Sequence, residues 1–275
     1  MPWYFHIVVY LFLIYLGICL AVFVLQEKLI FVPVFPGDRF ELKLATPAEE
    51  FHLTTPNKGQ IHAILLRVPN PRGLVFYLHG NTGSLRRWQF MAEEVSGYGY
   101  DVFACDYRGY GQSHGPRRES YMHRDHEYCY DMMAERYQGL PIIVYGRSLG
   151  SGFAVRLASR RKPSLLILET PFFNLLDVAN HYIPFVPASM LLRFRLRSDY
   201  YIHHVDCPIT IFHGTKDIIV PYSSALKLFR EVDGKKEITM ITIVGGRHST
   251  LNSFPLFREK MKETLELPRP DPESS

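Results

Sequence analysis

The chain has 275 residues, 47% of them hydrophobic and 14% aromatic, with a formal net charge of +4 at pH 7. That length allows one large domain or two small ones with a sizeable core. The mild charge, without a lysine-rich tail or basic stripe, sets nucleic-acid binding aside. Of the four cysteines (Cys19, Cys105, Cys129 and Cys207), none forms a CxxC pair or has metal-site spacing. Three lie in apolar or partly apolar segments and read as small buried hydrophobes.

The N-terminus comes first in chain order. From Ile7 to Leu25 no residue is charged; Trp3 and Tyr4 flank the stretch on one side and Gln26-Glu27-Lys28 on the other. At about 1.5 Å per residue this nearly spans a hydrocarbon core of roughly 30 Å. No Lys or Arg precedes it and no small-x-small cleavage site follows, which favours an anchor over residues 1–27 rather than a removed signal. Leu16-Gly17-Ile18-Cys19 resembles a lipoprotein box, but Ile18 is too bulky before the cysteine. Lys28, Arg39 and Lys43 follow the span with no such cation before it, which leans the main domain towards the cytoplasm. The opposite orientation stays open. Residues 28–50 read as a Pro-rich lead-in.

Strands are expected at Phe51–Thr55, Ile61–Val68, Leu74–Leu78, Asp101–Cys105, Ile142–Tyr145, Leu165–Glu169, Ile209–His213 and Ile238–Val244. Helical patterns fill about 84–96, 119–137, 149–160, 221–232 and 250–266. Strands that are apolar throughout and alternate with helices predict an α/β protein. Its sheet of eight strands is mostly parallel and covered on both faces. The first two strands adjoin without a helix, so an antiparallel edge is expected there. The segment from Pro171 to Asp199 is too long for an ordinary connection and too apolar for a solvated loop. It reads as a cap at about 171–200 within a domain of 51–267. The tail at 268–275, "PRPDPESS", reads as disordered.

Three strand ends carry candidate chemistry. "VYGRSLGSG" (Val144–Gly152) places Ser148 at a strand-to-helix corner. Side chains at positions 146 and 150 would clash across so tight a turn. The helix from Leu149 then points its free N–H groups at a developing oxyanion. Ser151 reads as a helix-surface hydroxyl. "TIFHGTKDIIVP" carries Asp217 after a strand, and "MITIVGGRHSTL" carries His248 after another. Each site residue thus lies just past a strand's C-terminal end, where open α/β sheets place their sites. Asp206 and His204 lie at the wrong end of theirs. "VFYLHGNTGS" (Val75–Ser84) ends a fourth strand in a His-Gly-Asn turn able to offer a backbone N–H, with His79 itself structural.

The order Ser148, Asp217, His248, with the His-Gly-Asn turn, resembles the α/β-hydrolase superfamily. The resemblance runs from about Leu29 to Leu265. Within the superfamily the chain looks like the membrane-anchored, serine-aminopeptidase-like branch. That branch has a similar lead-in (here "LQEKLIFVP") and an Asp-Tyr-Arg-Gly-Tyr-Gly-x-Ser segment, here Asp106 to Ser113. The resemblance implies Ser148 as nucleophile, His248 as the base that takes its proton, and Asp217 as the group that orients the imidazole. It also implies an oxyanion hole formed by the N–H of Leu149 with that of Asn81 (or Thr82), and no cofactor or metal. The implied reaction is ester hydrolysis through an acyl-enzyme, on a small or lipid-like ester. The alternatives are a peptidase, a thioesterase, or a non-catalytic scaffold on the same fold. An aminopeptidase needs a carboxylate for the substrate amine, for which the cap supplies Asp177 and Asp199. Nothing in the sequence specifies an oligomeric state.

Other patterns read as structure. "RGYGQSHG" misses the dinucleotide spacing and is a turn. His123 and His126, and the pair His203-His204, make no complete ligand set and read as surface histidines. "RFRLR" (Arg193–Arg197) alternates cation and apolar residue, as at a solvated cap edge; in a tethered enzyme it would rest on anionic head groups.

Overall fold

A computed structural model describes residues 2–33 and 47–266. The central part of the expected lead-in (34–46) and the tail at 268–275 lie outside the described residues. Helix α1 (Trp3–Ile30) contains the uncharged stretch, with a mean hydropathy of 2.9 in its most apolar window. It is long and apolar enough to cross a bilayer. It ends where Phe31 turns extended and its N–H closes on the carbonyl of Glu27.

Eight strands follow: β1 (Ala48–Thr55), β2 (Gly59–Leu66), β3 (Leu74–Leu78), β4 (Asp101–Cys105), β5 (Ile142–Arg147), β6 (Leu165–Glu169), β7 (Ile209–Gly214) and β8 (Ile238–Ile243). They form one sheet in the order β1-β2-β4-β3-β5-β6-β7-β8. The pairings β1–β2 and β2–β4 are antiparallel and all others parallel. The antiparallel edge expected from the adjoining first strands is therefore present. Most strand ends fall within a residue or two of the sequence expectation.

Helices α2 (Leu85–Ser96), α3 (Glu119–Arg136), α4 (Leu149–Ala158), α8 (Tyr222–Val232) and α9 (Pro255–Glu266) cover the sheet. Side chains alternate between its faces with the period of two that a pleated strand imposes. Leu74, Phe76 and Leu78 of β3 join the core under α3, α4 and α8, with Phe153 and Leu228. Val75 and Tyr77 of the same strand join the core under α2 and α9, with Trp88 and Met261. With both faces buried, these strands can be apolar throughout.

Between β6 and β7 the cap segment folds into three short helices, α5 (Leu175–Tyr182), α6 (Ala188–Leu191) and α7 (Ser198–Tyr201). It packs against the end of α1. Gln26 donates from Nε2 to the Leu191 carbonyl (3.0 Å) and accepts the Arg193 N–H at Oε1 (2.7 Å). Phe31 meets Phe194 edge-on at 4.8 Å.

Two expectations about single residues are corrected. His123 and His126 are buried rather than on the surface, because α3 turns them against Phe153 of α4. Burial pushes the protonation of both below the usual imidazole range. Ser151 is fully buried rather than on a helix surface, and its hydroxyl donates to the Ser148 carbonyl at 2.6 Å. His203 and His204 are exposed. Cys19, Cys105 and Cys129 are buried, and all four cysteines are free thiols.

Candidate active site

The corner between β5 and α4 holds Ser148 at φ 50° and ψ −117°, a region that L-residues seldom occupy. Neighbouring backbone fixes it: the Ser148 N–H donates to the Glu169 carbonyl at 2.8 Å. The flanking glycines are steric requirements. A Cβ on Gly150 would lie 2.0 Å from the Leu78 carbonyl oxygen, and one on Gly146 would lie 2.4 Å from the Ala154 Cβ. The corner closes only because β3 and α4 approach to this distance.

His248 reaches the serine from the loop after β8. Its Nε2 lies 2.9 Å from Ser148 Oγ, and its Nδ1 lies 2.8 Å from Asp217 Oδ2. Asp217 sits in the turn after β7, where its Oδ1 accepts the N–H groups of Ile219 (2.8 Å) and Val220 (2.9 Å). Burial works against the charged carboxylate of Asp217. The hydrogen bonds from His248 and Val220 outweigh it and hold the carboxyl below its usual range. Ser148 and Asp217 are nearly inaccessible, at 6% and 8% exposed, while the imidazole keeps an open edge. All three residues therefore meet in one hydrogen-bonded line across the ends of three parallel strands.

The His-Gly-Asn turn after β3 lies beside them: a Cβ on Gly80 would be 3.7 Å from that of Ser148. The segment Asp106–Ser113 braces this turn. Tyr107 Oη donates to the His79 carbonyl (2.5 Å), and Tyr110 Oη donates to the Asn81 carbonyl (2.7 Å). Asp106 Oδ1 accepts the Leu85 N–H at the start of α2 (2.8 Å). Arg108 grips Asp125 through Nε (2.6 Å) and Nη2 (2.8 Å). The Val32 N–H donates to the Asn81 carbonyl as well (3.0 Å), so the chain just after α1 also touches the loop. Both Asn81 carbonyl contacts fix the Asn81–Thr82 peptide, whose N–H belongs to Thr82. The "RGYGQSHG" stretch is the turn expected, with Gly109 and Gly111 at positive φ. His79 is buried and stacks on Tyr107 at 4.0 Å.

One part of the site escaped the reading of the sequence. Arg147, immediately before the serine, faces Glu169 in the β5–β6 register. Its Nε lies 3.0 Å from Glu169 Oε1, and its Nη2 donates to the His248 carbonyl at 3.2 Å. Its guanidinium also lies 5.1 Å from the centre of the Trp88 ring. Tyr145 donates to the other carboxylate oxygen of Glu169 at 2.5 Å. Burial opposes the charge on Arg147, but Glu169 more than compensates and raises its protonation above the usual range. The available signal was a charged residue at the end of each of two adjacent apolar strands.

The cap leans on the acid turn. Tyr182 Oη donates to the carbonyls of Ile218 (2.5 Å) and Ile219 (2.8 Å). In the cap and the acid turn, Phe185, Met190, Ile218 and Ile219 leave apolar side chains exposed. Neither cap carboxylate is free. Asp177 accepts from Ser224 (2.5 Å) and pairs with Lys227, and Asp199 pairs with Arg197 at 2.8 Å. Asp206 lies on the N-terminal side of β7 and is exposed.

The chain is similar to several known proteins. Residues 69–201 match the family described as "Serine aminopeptidase, S33". The chain is 30% identical over 226 residues to a protein of Danio rerio called lysophosphatidylserine lipase ABHD12, covering 72% of this chain and 59% of that one. The chain thus spans less than two thirds of the length of that relative. It is 26% identical to human alpha/beta hydrolase domain-containing protein 17B, over 87% of this chain and 90% of that one. Among solved structures, an esterase from Pyrococcus furiosus superposes with a TM-score of 0.70 at 20% identity, over 86% of this chain and 96% of that one.

Proposed function

This chain is a member of the α/β-hydrolase superfamily; from that premise we propose that it is a membrane-anchored serine hydrolase cleaving carboxylic esters of lipid-like substrates. The single observation carrying this reading is the unbroken line Asp217–His248–Ser148, at 2.8 and 2.9 Å. In the proposed reaction Ser148 Oγ attacks the ester carbonyl as His248 Nε2 takes its proton. Asp217 holds Nδ1–H and stabilises the imidazolium that forms. The N–H groups of Leu149 and of Asn81 or Thr82 receive the oxyanion. Collapse expels the alcohol, which takes the proton from His248 and leaves the acyl group on Ser148. Water, activated by the same imidazole, then releases the acid and restores the serine.

Helix α1 supports anchoring, and the exposed apolar side chains beside the acid turn support a substrate with an acyl chain. The relative called a lysophosphatidylserine lipase points the same way. The peptidase alternative is weaker, because Asp177 and Asp199 are both engaged and neither is left to hold a substrate amine. The side of the membrane on which the domain lies is taken as cytoplasmic from Lys28 and the cations that follow it in the sequence.

The test uses the full chain in detergent, with nitrophenyl esters of increasing acyl length and the Ser148→Ala variant alongside. We expect hydrolysis in the wild type and a loss of roughly 10⁵-fold or more in the variant. A fluorophosphonate should label the wild type at Ser148. A folded wild type that neither hydrolyses any ester nor takes the label would overturn the reading.

A further inference from the structure

Away from the triad, a groove of about 670 Å³ opens between the start of α3, the outer side of α4 and the cap. No triad residue lines it. Six arginines do: Arg117, Arg118, Arg156, Arg193, Arg195 and Arg197. Such density has a physical cost, because like charges repel unless counter-charges or a ligand offset them.

Counter-charges account for only part of it. Glu27 meets Arg117 (3.1 Å) and Arg193 (3.9 Å), Glu127 meets Arg156 (2.9 Å), and Asp199 meets Arg197 (2.8 Å). Arg118 and Arg195 have no carboxylate partner among the described residues. Glu119, the one carboxylate lining the groove, is occupied by the Arg195 N–H at 2.5 Å and lies 3.5 Å from His123. His123 is 5% exposed and lines the same groove, with its Nε2 turned towards Glu119. An open volume lined by six guanidiniums, two of them without a carboxylate partner among the described residues, describes an anion site. Guanidiniums match phosphate oxygens in forked pairs, and such pairs are among the stronger hydrogen bonds available to a protein.

Position names the source of the anion. Glu27, which clamps Arg117 and Arg193, lies two residues past the end of the uncharged stretch of α1. Arg193 also packs its guanidinium over Phe23 of α1, 5.7 Å from the ring centre. The groove therefore starts at the level where α1 leaves the apolar layer, which is where lipid phosphates lie. We propose that this arginine groove binds the phosphate of an anionic lipid headgroup, as a second lipid site distinct from the triad. The proposal rests on α1 entering a bilayer.

The test places the full chain in nanodiscs of phosphatidylcholine, with and without phosphatidic acid. Hydrogen exchange is followed for peptides covering 117–123 and 193–197. A parallel arm gives the detergent-solubilised chain inorganic phosphate alone. We expect protection of both peptides only with phosphatidic acid, and a shift of roughly tenfold or more in the amount required for Arg118→Gln/Arg195→Gln. Ester hydrolysis should persist in that variant, which also reports that it folds. Equal protection in both discs, undiminished protection in the variant, or equal protection by inorganic phosphate would each overturn the groove as a lipid site. Flotation with plain phosphatidylcholine vesicles separates the premise from the proposal. A chain that does not float overturns both, and a chain that floats without protection overturns the groove alone.

Discussion

Arg147 holds the main chain of His248: its Nη2 donates to the His248 carbonyl at 3.2 Å while its Nε meets Glu169 at 3.0 Å. One guanidinium thus links the strand that presents Ser148 to the loop that presents His248, with its position fixed by the neighbouring strand.

Arg147 is accordingly a positioning residue. Replacing Arg147 by Met should lower kcat by roughly 10- to 100-fold with KM little changed, because misplaced geometry costs the chemical step first. It also leaves Glu169 buried without its partner, a loss of about 3–5 kcal/mol in stability. The double variant Arg147→Met/Glu169→Gln should recover much of the thermal stability but not kcat. Recovery of both would assign Arg147 a structural role only.

The tyrosine braces on the His-Gly-Asn turn should show the opposite pattern to a core defect. Tyr110→Phe keeps the ring and removes only the bond to the Asn81 carbonyl. Stability should fall by about 1 kcal/mol, while kcat should fall roughly tenfold or more if the Asn81–Thr82 peptide aims the Thr82 N–H at the oxyanion. Steady-state kinetics beside thermal melts measure both, and an unchanged kcat would remove the Thr82 N–H as the proposed oxyanion donor.

Gly150→Ala is expected to abolish folding or expression, since its Cβ would enter the Leu78 carbonyl. Ser151→Ala, one residue on, removes a single hydrogen bond in a space already filled and should cost about 1–2 kcal/mol. Expression and melting temperature of the two variants check the contrast.

Two groups set opposite pH limits on stability. Asp217 has a folded protonation constant below its ordinary value, so its contribution is present above that value and is lost as pH falls through the lower, folded one. His62 behaves conversely. Burial lowers its basicity, but Asp106 and Glu50 beside it outweigh that and raise it overall. Its contribution is full below the ordinary imidazole value, about 6.5, and is lost as pH rises through the folded one. Melting temperature followed from pH 6 upwards should fall more steeply in the wild type than in His62→Gln; parallel curves would exclude the effect.

What the sequence revealed and what it hid divide along one physical line. The central strands were legible because burial on both faces makes them largely apolar. Ser148, Asp217 and His248 were legible because each lies within a few residues of a strand's C-terminal end, next to glycine or a turn. Contacts set by neighbouring strands were not. Glu169 reads as the polar end of β6 until β5 is paired beside it and Arg147 falls opposite. Ser151, His123 and His126 carry polar side chains on helices, and only the packing of α4 against the sheet and of α3 against α4 shows that they face inward.

The bonds from Gln26 to Leu191 and Arg193 have a kinetic consequence. With α1 in a bilayer they tie the cap to the membrane helix and hold it near the surface. If the substrate is the lipid-like ester proposed, encounters take place in two dimensions, and the rate follows the mole fraction of substrate in the surface rather than its bulk concentration. Diluting that surface with inert lipid should slow turnover even when the total substrate in the tube is unchanged.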